Sequence, residues 1–348
     1  MTKHILRRII QAIPTLFGVT LLSFMIMSAA PGNAALFQSF GVDPRTATPE
    51  TIERLSKQMG LNDPWPIQYL KWLVGDDWMW WKNYDEEGNA IERNHMTYGM
   101  LRLDFGKSFR NKESAVKLIA ERIPATIELG VTSLIVGLVL GIPIGILAAV
   151  YRGGVFDNFS RIFAVLGNSI PNFWLGLILL LIFAFNLGIL PSGHRCDPVK
   201  YSRSVCPPIY ERLEYLILPT IVLAMGGIAG TSRFMRTSML DTVNSDYVRT
   251  AKAKGLSPRV IWFKHAARNA MIPIATGLGP AIVGILGGAV ITEQIFSWPG
   301  IGLLTIRAIN SQDYNIVMAT TFIFAILTIF GYILSDIFYA LFDPRIRF

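Results

Sequence analysis

Long apolar stretches constrain this chain more than any other feature of its sequence. A helix needs about 20 mainly apolar residues to cross about 30 Å of hydrocarbon. Hydrophobic residues make up 52% of the chain and charged residues only 16%, a composition poorly suited to a water-soluble surface. The sequence therefore predicts an all-α membrane protein. Six transmembrane helices are predicted, at 9–30, 126–151, 162–190, 216–230, 274–295 and 317–342.

Basic residues next to these spans predict the orientation, because Lys and Arg are enriched in cytoplasmic loops. If the chain crosses the membrane six times, both chain ends fall on one side. The connection between the second and third spans and the connection between the fourth and fifth spans fall on that same side. We expect that side to be cytoplasmic. The net charge of +8 is then explained by basic residues in cytoplasmic loops, and no nucleic acid partner is needed to explain it. The residues concerned are Lys3, Arg7, Arg8, Arg152, Arg161, the basic residues from Arg233 to Arg268, Arg345 and Arg347.

The same threading divides the chain into three regions. Residues 1–30 hold the N-terminus and the first span, 31–125 form a large extracytoplasmic region, and 126–348 form a core domain with five spans. Within the second region, the segment from Trp78 to His95 is rich in aromatic and acidic residues, with a predicted hairpin turn at 85–89. Its tryptophans could stack on sugars, although an aromatic belt at the membrane surface is the favoured interpretation.

A polar and basic segment, 247–273, separates the fourth and fifth predicted spans. A short helix is predicted to start after Ser245 and to stop at Gly255. Ser257 and Pro258 then begin a second helix, with Ser as the cap. Ala251 and Gly255 are four residues apart, so one helix face carries almost no side chain and a partner surface can approach the backbone. Basic side chains surround that face, namely Arg249, Lys252 and Lys254.

The spans lack ionisable groups near their middles, where ion-coupled transporters and channels usually carry them. Glu128, Glu293 and Asp336 are predicted near span ends, within reach of water or the interface. Energy must then come from a separate ATPase bound to the basic segment. An autonomous secondary transporter is the alternative from another class, disfavoured also because no inverted repeat is evident.

Catalytic chemistry has little support in this sequence. Gly106-Lys107-Ser108 matches the end of a phosphate-binding loop, but Leu101 stands where the first Gly is required. The spans offer no nucleophile, base or metal cluster for an intramembrane enzyme. No metal site is predicted, because the histidines lack ligand spacing: His4, His95, His194 and His265.

Small and polar residues inside the spans allow two interpretations each. The glycine spacing favours close helix packing, either within the chain or against a second membrane subunit, at Gly137, Gly141, Gly145, Gly284 and Gly288. In the third span, polar residues either line a path or accompany a proline kink with satisfied amides, at Asn168, Pro171 and Asn172.

Cys196 and Cys206 are the only cysteines, and both fall in a connection predicted outside the cytoplasm, where oxidation is possible. A disulfide is therefore predicted, with a pair of free thiols as the alternative. Closing so short a ring stabilises a loop by about 2 to 3 kcal/mol on the chain-entropy estimate.

Several separated motifs together resemble one family. These are YVRTAKAKGL with HAARNAMIP, ITEQIFSWPGIG at 291–302, LRLDFGKSF at 101–109 and the ending DPRIRF. Over essentially its whole length the chain resembles the permease subunits of peptide/nickel-type ABC importers, inner-membrane components of binding-protein-dependent transport systems. The resemblance implies a type I ABC importer transmembrane domain with six spans and a homologous second permease. It also implies two cytoplasmic ATPase subunits that carry ATP and Mg, and an extracytoplasmic substrate-binding protein.

The resemblance also implies where the functional residues lie. Residues 241–272 match the coupling segment that docks on the ATPase, with Tyr247, Arg249, Ala251, Lys252, Lys254, Gly255 and His265 as its contacts. Arg249 stands where the general importer pattern has Glu, so a contact from an acidic first residue is not expected. A translocation pathway or gate is predicted at Asn168, Pro171, Asn172, Phe296, Trp298 and Pro299.

The function predicted from the sequence is that of a non-catalytic permease subunit in the cell inner membrane. It forms half of a pathway for di- or oligopeptides, binds no cofactor itself, and is driven by ATP hydrolysis on partner subunits. Importers of oligosaccharides or nickel chelates share this scaffold, and they stay open as alternatives for the cargo.

Overall fold

The structure is a computed structural model that describes residues 2–29, 48–51, 53, 56, 63–75, 98–201, 206–286 and 289–342. In these ranges the regular elements are helices, accompanied by one isolated bridge between Lys107 and Ser114. The segment from Trp78 to His95 with its predicted hairpin, Gly288 and the ending DPRIRF lie outside the described residues.

The helices vary widely in length. Four of them have 28 to 30 residues. In chain order the described helices are α1 Thr2–Ala29, α2 Trp65–Val74, α3 Ala115–Ala120, α4 Ile123–Val150, α5 Val155–Ser169, α6 Asn172–Leu179, α7 Leu213–Thr242, α8 Asp246–Ala253, α9 Pro258–Val260, α10 Ala267–Ala270, α11 Ile272–Leu286, α12 Val290–Ile295, α13 Ile301–Asn310 and α14 Tyr314–Phe342. Two π-helical stretches, Leu180–Asn186 and Ile261–Ala266, extend α6 and join α9 to α10.

Four described segments are long and apolar enough to cross a membrane, and they match the first, second, fourth and sixth predicted spans. The fifth predicted span, 274–295, is divided between α11 and α12, because Ala289 has a ψ of 61° and does not continue a helix. Length and composition support four spans, or five if the bent pair at 155–186 crosses the membrane as one span. The four are Leu6–Ser28, Ala115–Val150, Leu213–Thr242 and Tyr314–Ile337.

The third predicted span is a sharply bent pair and not a single helix. Its two parts, Val155–Ser169 and Asn172–Asn186, meet at an angle of 101°. Ile170 precedes Pro171 and adopts an extended conformation, with φ −76° and ψ 121°. A residue before proline is sterically pushed out of the helical region, which explains the break.

The fourth predicted span, 216–230, covers only half of the 30-residue helix in which it lies. Helix α7 runs without interruption from Leu213 to Thr242 and includes Pro219. The helix continues through Arg233 and Arg236, and Arg236 forms an ion pair with Asp157.

Compact packing divides the chain into two units. The first comprises Met1–Arg8, Pro124–Leu303 and Leu327–Phe348. Its glycines at 137, 141 and 145 face α7: a Cβ on Gly137 would lie 3.6 Å from Gly227 Cα, and one on Gly145 would lie 2.6 Å from Met235 Cβ. These glycines therefore pack within the chain. Gly284, by contrast, has open space beside it.

The second unit comprises Ile9–Ile123 and Leu304–Ile326. Tyr69 of α2 is buried against α1, where its hydroxyl lies 2.9 Å from Thr20 Oγ1. Ser108 Oγ donates a hydrogen bond of 2.5 Å to Asp313 Oδ2, which fastens the loop before α3 to the start of α14.

Candidate functional site

Residues 241–272, predicted to couple the chain to an ATPase and called the coupling segment below, are built onto the ends of two long helices. One face of α8 is buried, with Val248 0% and Ala251 5% exposed. The π-helical stretch and α10 bury further side chains in the same cluster. The segment thus shares one apolar core with α4 and α7, formed by Ile146, Ala149, Met235, Met239, Val248, Ala251, Ile261, Ala266, Ala267 and Ala270.

Gly255 ends α8 as predicted, with a φ of +69°. The Leu256 N–H donates to Ala251 O over 3.4 Å and the Gly255 N–H donates to Lys252 O over 3.0 Å. This is the Schellman arrangement, which needs a left-handed residue after the helix and favours glycine there. The chain then turns, and Pro258 opens the next helix behind Ser257, also as predicted.

The prediction that Ala251 lies on an exposed contact face of α8 is wrong. Ala251 points into the core with Val248, because residues three apart lie on the same helix face and that face packs on α4 and α7. Gly255 alone of the two is exposed, with no atom within 4 Å of the Cβ position.

The outer side of the coupling segment combines charge with apolar surface. Arg249, Lys252 and Lys254 are exposed on α8 and at its end. Apolar side chains lie exposed beside them, which is a common property of protein interaction sites. The exposed fractions are 39% for Tyr247, 38% for Leu256, 38% for Val260 and 47% for Phe263.

Internal contacts give this surface its shape. The Lys252 ammonium lies 5.0 Å from the centre of the Trp262 ring, which joins α8 to the π-helical stretch. Arg249 approaches Asp246 to 3.6 Å, but both side chains are strongly exposed and such a pair contributes little. His265 is half-buried in the stretch that follows Trp262.

The predicted pathway residues separate into two groups. Asn168, Pro171 and Asn172 are exposed at the bend between α5 and α6, and Asn168 Nδ2 donates to Ala164 O over 3.2 Å. The other three are buried within the chain.

Phe296, Trp298 and Pro299 were predicted to form part of a pathway or gate, and their side chains are buried within the chain. Phe296 is 1% and Trp298 0% exposed, and the Trp298 Nε1–H donates to Ala125 O over 2.8 Å. The Trp298 side chain holds the loop after α12 against the start of α4, and Phe296 packs with Leu218 and Val222 of α7.

Glu293 was expected to reach water, and that expectation is also wrong. The side chain is fully buried on α12. Its Oε1 accepts a 3.0 Å hydrogen bond from Thr126 Oγ1, and its Oε2 accepts a 2.9 Å hydrogen bond from the Leu303 N–H. Thr126 and Glu293 are 167 positions apart in sequence, so no local pattern could have indicated this contact.

A second cluster of charged side chains contacts the loop before α7. Glu128 of α4 accepts hydrogen bonds from Arg195 and Arg212, at 2.9 Å from Arg195 Nε and 2.5 Å from Arg212 Nη1. Between these arginines, Cys196 and Cys206 are joined by a disulfide with a Cα–Cα distance of 5.8 Å. The loop is therefore held both covalently and by charge.

The apolar helices and the built-in coupling segment define a multi-pass helical membrane protein with an exposed basic surface. Residues 141–348 match the family model described as binding-protein-dependent transport system inner membrane component, and residues 1–130 match the N-terminal model of such components. The chain belongs to this family of transport permeases.

Named relatives match the chain over its whole length. It is 39% identical to the oligopeptide transport system permease protein AppB of Bacillus subtilis, with 100% of both chains covered. It is 35% identical to OppB of Haemophilus influenzae, again with 100% of both chains covered. It is 32% identical to the dipeptide transport system permease protein DppB of Escherichia coli, over 100% of this chain and 99% of the relative.

A solved structure shares the fold. It is that of the MetNI methionine ABC transporter in inward-facing conformations, with a TM-score of 0.50 and 16% identity. The match covers 66% of this chain and 97% of the other. About two thirds of this chain thus shares the helical fold of that structure.

Proposed function

We propose that the chain is a permease subunit of an ATP-driven importer of di- or oligopeptides. Three relatives named above are oligopeptide or dipeptide transport permeases, matched from end to end at 32% to 39% identity. Two of their names refer to oligopeptides and one to dipeptides, so the proposal covers short peptides as a class.

The observation that carries the proposed mechanism is the two-sided construction of the coupling segment. Its inner face shares a core with α4 and α7, and its outer side exposes basic and apolar side chains. A subunit bound to the outer side would move both long helices with it. We propose that two ATPase subunits supply this movement when they bind ATP and Mg, while this chain itself carries no cofactor and catalyses no hydrolysis.

The remaining parts of the assembly follow the same proposal. A homologous second permease would complete the pathway, and the exposed residues at the α5–α6 bend, Asn168, Pro171 and Asn172, would face it. An extracytoplasmic binding protein would deliver the peptide. The type I arrangement with six spans requires α11 and α12 together to act as the fifth span, with both termini in the cytoplasm of the inner membrane and 31–125 outside.

The cargo is tested with the complete importer in proteoliposomes that contain ATP. Uptake of a radiolabelled oligopeptide is measured with the binding protein outside, in the presence of excess unlabelled dipeptide, oligopeptide, oligosaccharide or nickel chelate. We expect competition by peptides only. Uptake that is blocked by the oligosaccharide or the nickel chelate, and not by peptides, would contradict the proposed cargo.

A further inference from the structure

Glu293 lies at a junction of three segments. Its carboxylate on α12 binds the hydroxyl of Thr126 at the start of α4 and the N–H of Leu303 on α13. The Thr126 oxygen in turn accepts a 2.9 Å hydrogen bond from the Ile301 N–H. These four residues are called the Glu293 network below. Burying a carboxylate costs several kcal/mol unless hydrogen bonds compensate, so the network must be satisfied for the loop to keep its place.

Two glycines make room for the carboxylate. A Cβ on Gly300 would overlap Glu293 Oε1, and a Cβ on Gly302 would lie 2.9 Å from Oε2. No other residue type fits these positions without displacing the carboxylate. The chain between Phe296 and Leu303 is thus shaped around Glu293.

Trp298 adds a second attachment of the same loop. Its ring is fully buried with Ala125 and Leu129 of α4 and Leu216 of α7, and its Nε1–H binds Ala125 O. The loop is therefore fastened to the first turns of both long helices.

The opposite ends of the same two helices carry the coupling segment. Ile146 and Ala149 of α4, with Met235 and Met239 of α7, lie in its core. From Thr126 to Ile146 a helix rises about 30 Å at about 1.5 Å per residue. Between these ends Gly137 and Gly227 bring the two backbones together. Helices α4 and α7 thus form a close-packed pair, which is attached to the coupling segment at one end and to the Phe296–Leu303 loop at the other.

We propose that Glu293 is a positioning residue for transport: it fastens the loop at 296–303 to the α4–α7 pair, so that movement of the coupling segment reaches the far end of the permease. The inference rests on the proposed function, since it takes movement to begin at the coupling segment. When the Glu293 network is lost, the coupling segment still binds its partner and follows it. The loop at the far end, then held by Trp298 alone, follows this movement less closely, and less peptide is imported per ATP hydrolysed.

The test uses the complete importer with Glu293→Leu and Glu293→Gln. Leucine has a similar size but accepts no hydrogen bond, whereas glutamine keeps an acceptor for Leu303 and a polar group for Thr126. Gln294→Leu is the matched control, because Gln294 is the exposed neighbour on the same helix. The readout is peptide imported per ATP hydrolysed, which a role in folding alone does not change, because misassembly lowers both rates together.

We expect Glu293→Leu to lower this ratio about tenfold, because the Thr126 hydroxyl and the Leu303 N–H both lose their acceptor. Glu293→Gln and Gln294→Leu should keep the parental ratio. A parental ratio in assembled Glu293→Leu would overturn the inference. If that variant does not assemble, Thr126→Val removes one hydroxyl at nearly constant volume, and a parental ratio there would overturn the inference equally. Failure of the unaltered importer to move peptide would instead overturn the proposed function.

Discussion

Asp157 of α5 and Arg236 of α7 form a two-pronged ion pair, with Nε to Oδ1 at 2.5 Å and Nη2 to Oδ2 at 2.8 Å. The Asp157 side chain is 1% exposed, and its Oδ2 also accepts the Gly153 N–H over 2.9 Å. The pair lies one residue from Met235, which packs under the coupling segment. It ties α5, and the bend that follows α5, to the helix that carries the coupling segment.

The first prediction concerns this pair. Asp157→Ala leaves Arg236 without its partner, and because the Arg236 side chain is 21% exposed, the cost should lie below the range of about 3 to 5 kcal/mol for a fully buried pair. We expect a clear fall in the thermal unfolding midpoint of the purified chain in detergent, with partial recovery in Asp157→Leu/Arg236→Met.

The exposed pair of Asp246 and Arg249 provides the matched control, since both of its side chains face solvent. Asp246→Ala should change stability by about 0 to 1 kcal/mol. An equal fall in both single variants would show that burial of the Asp157 pair has no special importance.

The second prediction concerns Gly255. A leucine there must adopt the left-handed conformation at about 1 to 2 kcal/mol, and its side chain would project from the exposed surface of the coupling segment. We expect normal insertion in the membrane, reduced peptide uptake, and ATP hydrolysis that is uncoupled from uptake.

Gly188 is the control for backbone strain, because its φ is +63° and it also has open space around it. Gly188→Leu should leave uptake per ATP unchanged. Normal transport by Gly255→Leu would contradict the docking role of the coupling segment.

The third prediction concerns packing between α4 and α7. A side chain on Gly145 would collide with Met235 and with Ser232 O, so Gly145→Leu should destabilise the chain by about 1 to 3 kcal/mol. Gly230→Leu should be tolerated, because Gly230 on α7 has no atom within 4 Å of its Cβ position. The thermal unfolding midpoints of the two variants are measured side by side. A lower midpoint in Gly145→Leu alone would show that Gly145 packs within the chain, whereas equal midpoints would show that the glycine spacing has no role in this packing.

The fourth prediction concerns Cys196 and Cys206. Protein taken directly from membranes, with free thiols blocked first, should give linked loop peptides in non-reducing mass spectrometry. Full alkylation of both cysteines before any reductant is added would refute the bond in the cell, and would weaken the assignment of this loop to the extracytoplasmic side.

Local sequence patterns predicted several parts of the fold correctly. The stop at Gly255 and the restart at Ser257 and Pro258 depend on backbone preferences of single residues, which act wherever the segment lies. Four long spans followed from apolar length alone. The break at Pro171 lay within a predicted span, but its angle of 101° depends on packing that no local pattern records.

The errors come from contacts between distant residues. The fourth span was predicted to end at residue 230, yet α7 continues past Arg236, which pairs with Asp157 of another helix. Ala251 was assigned to the outside although Val248, three residues earlier, indicated the buried face. Glu293 appeared polar enough to reach water, and only its contact with Thr126 explains its burial.

The most direct test of the account is a comparison of this chain alone with the assembled importer. In one set of proteoliposomes the chain is reconstituted by itself under a proton or peptide gradient. In the other it is combined with the second permease, the ATPases, the binding protein and internal ATP. The account predicts saturable peptide uptake only in the second set, and its loss when ATP is replaced by a non-hydrolysable analogue. Saturable uptake by the chain alone, driven by the gradient, would contradict it.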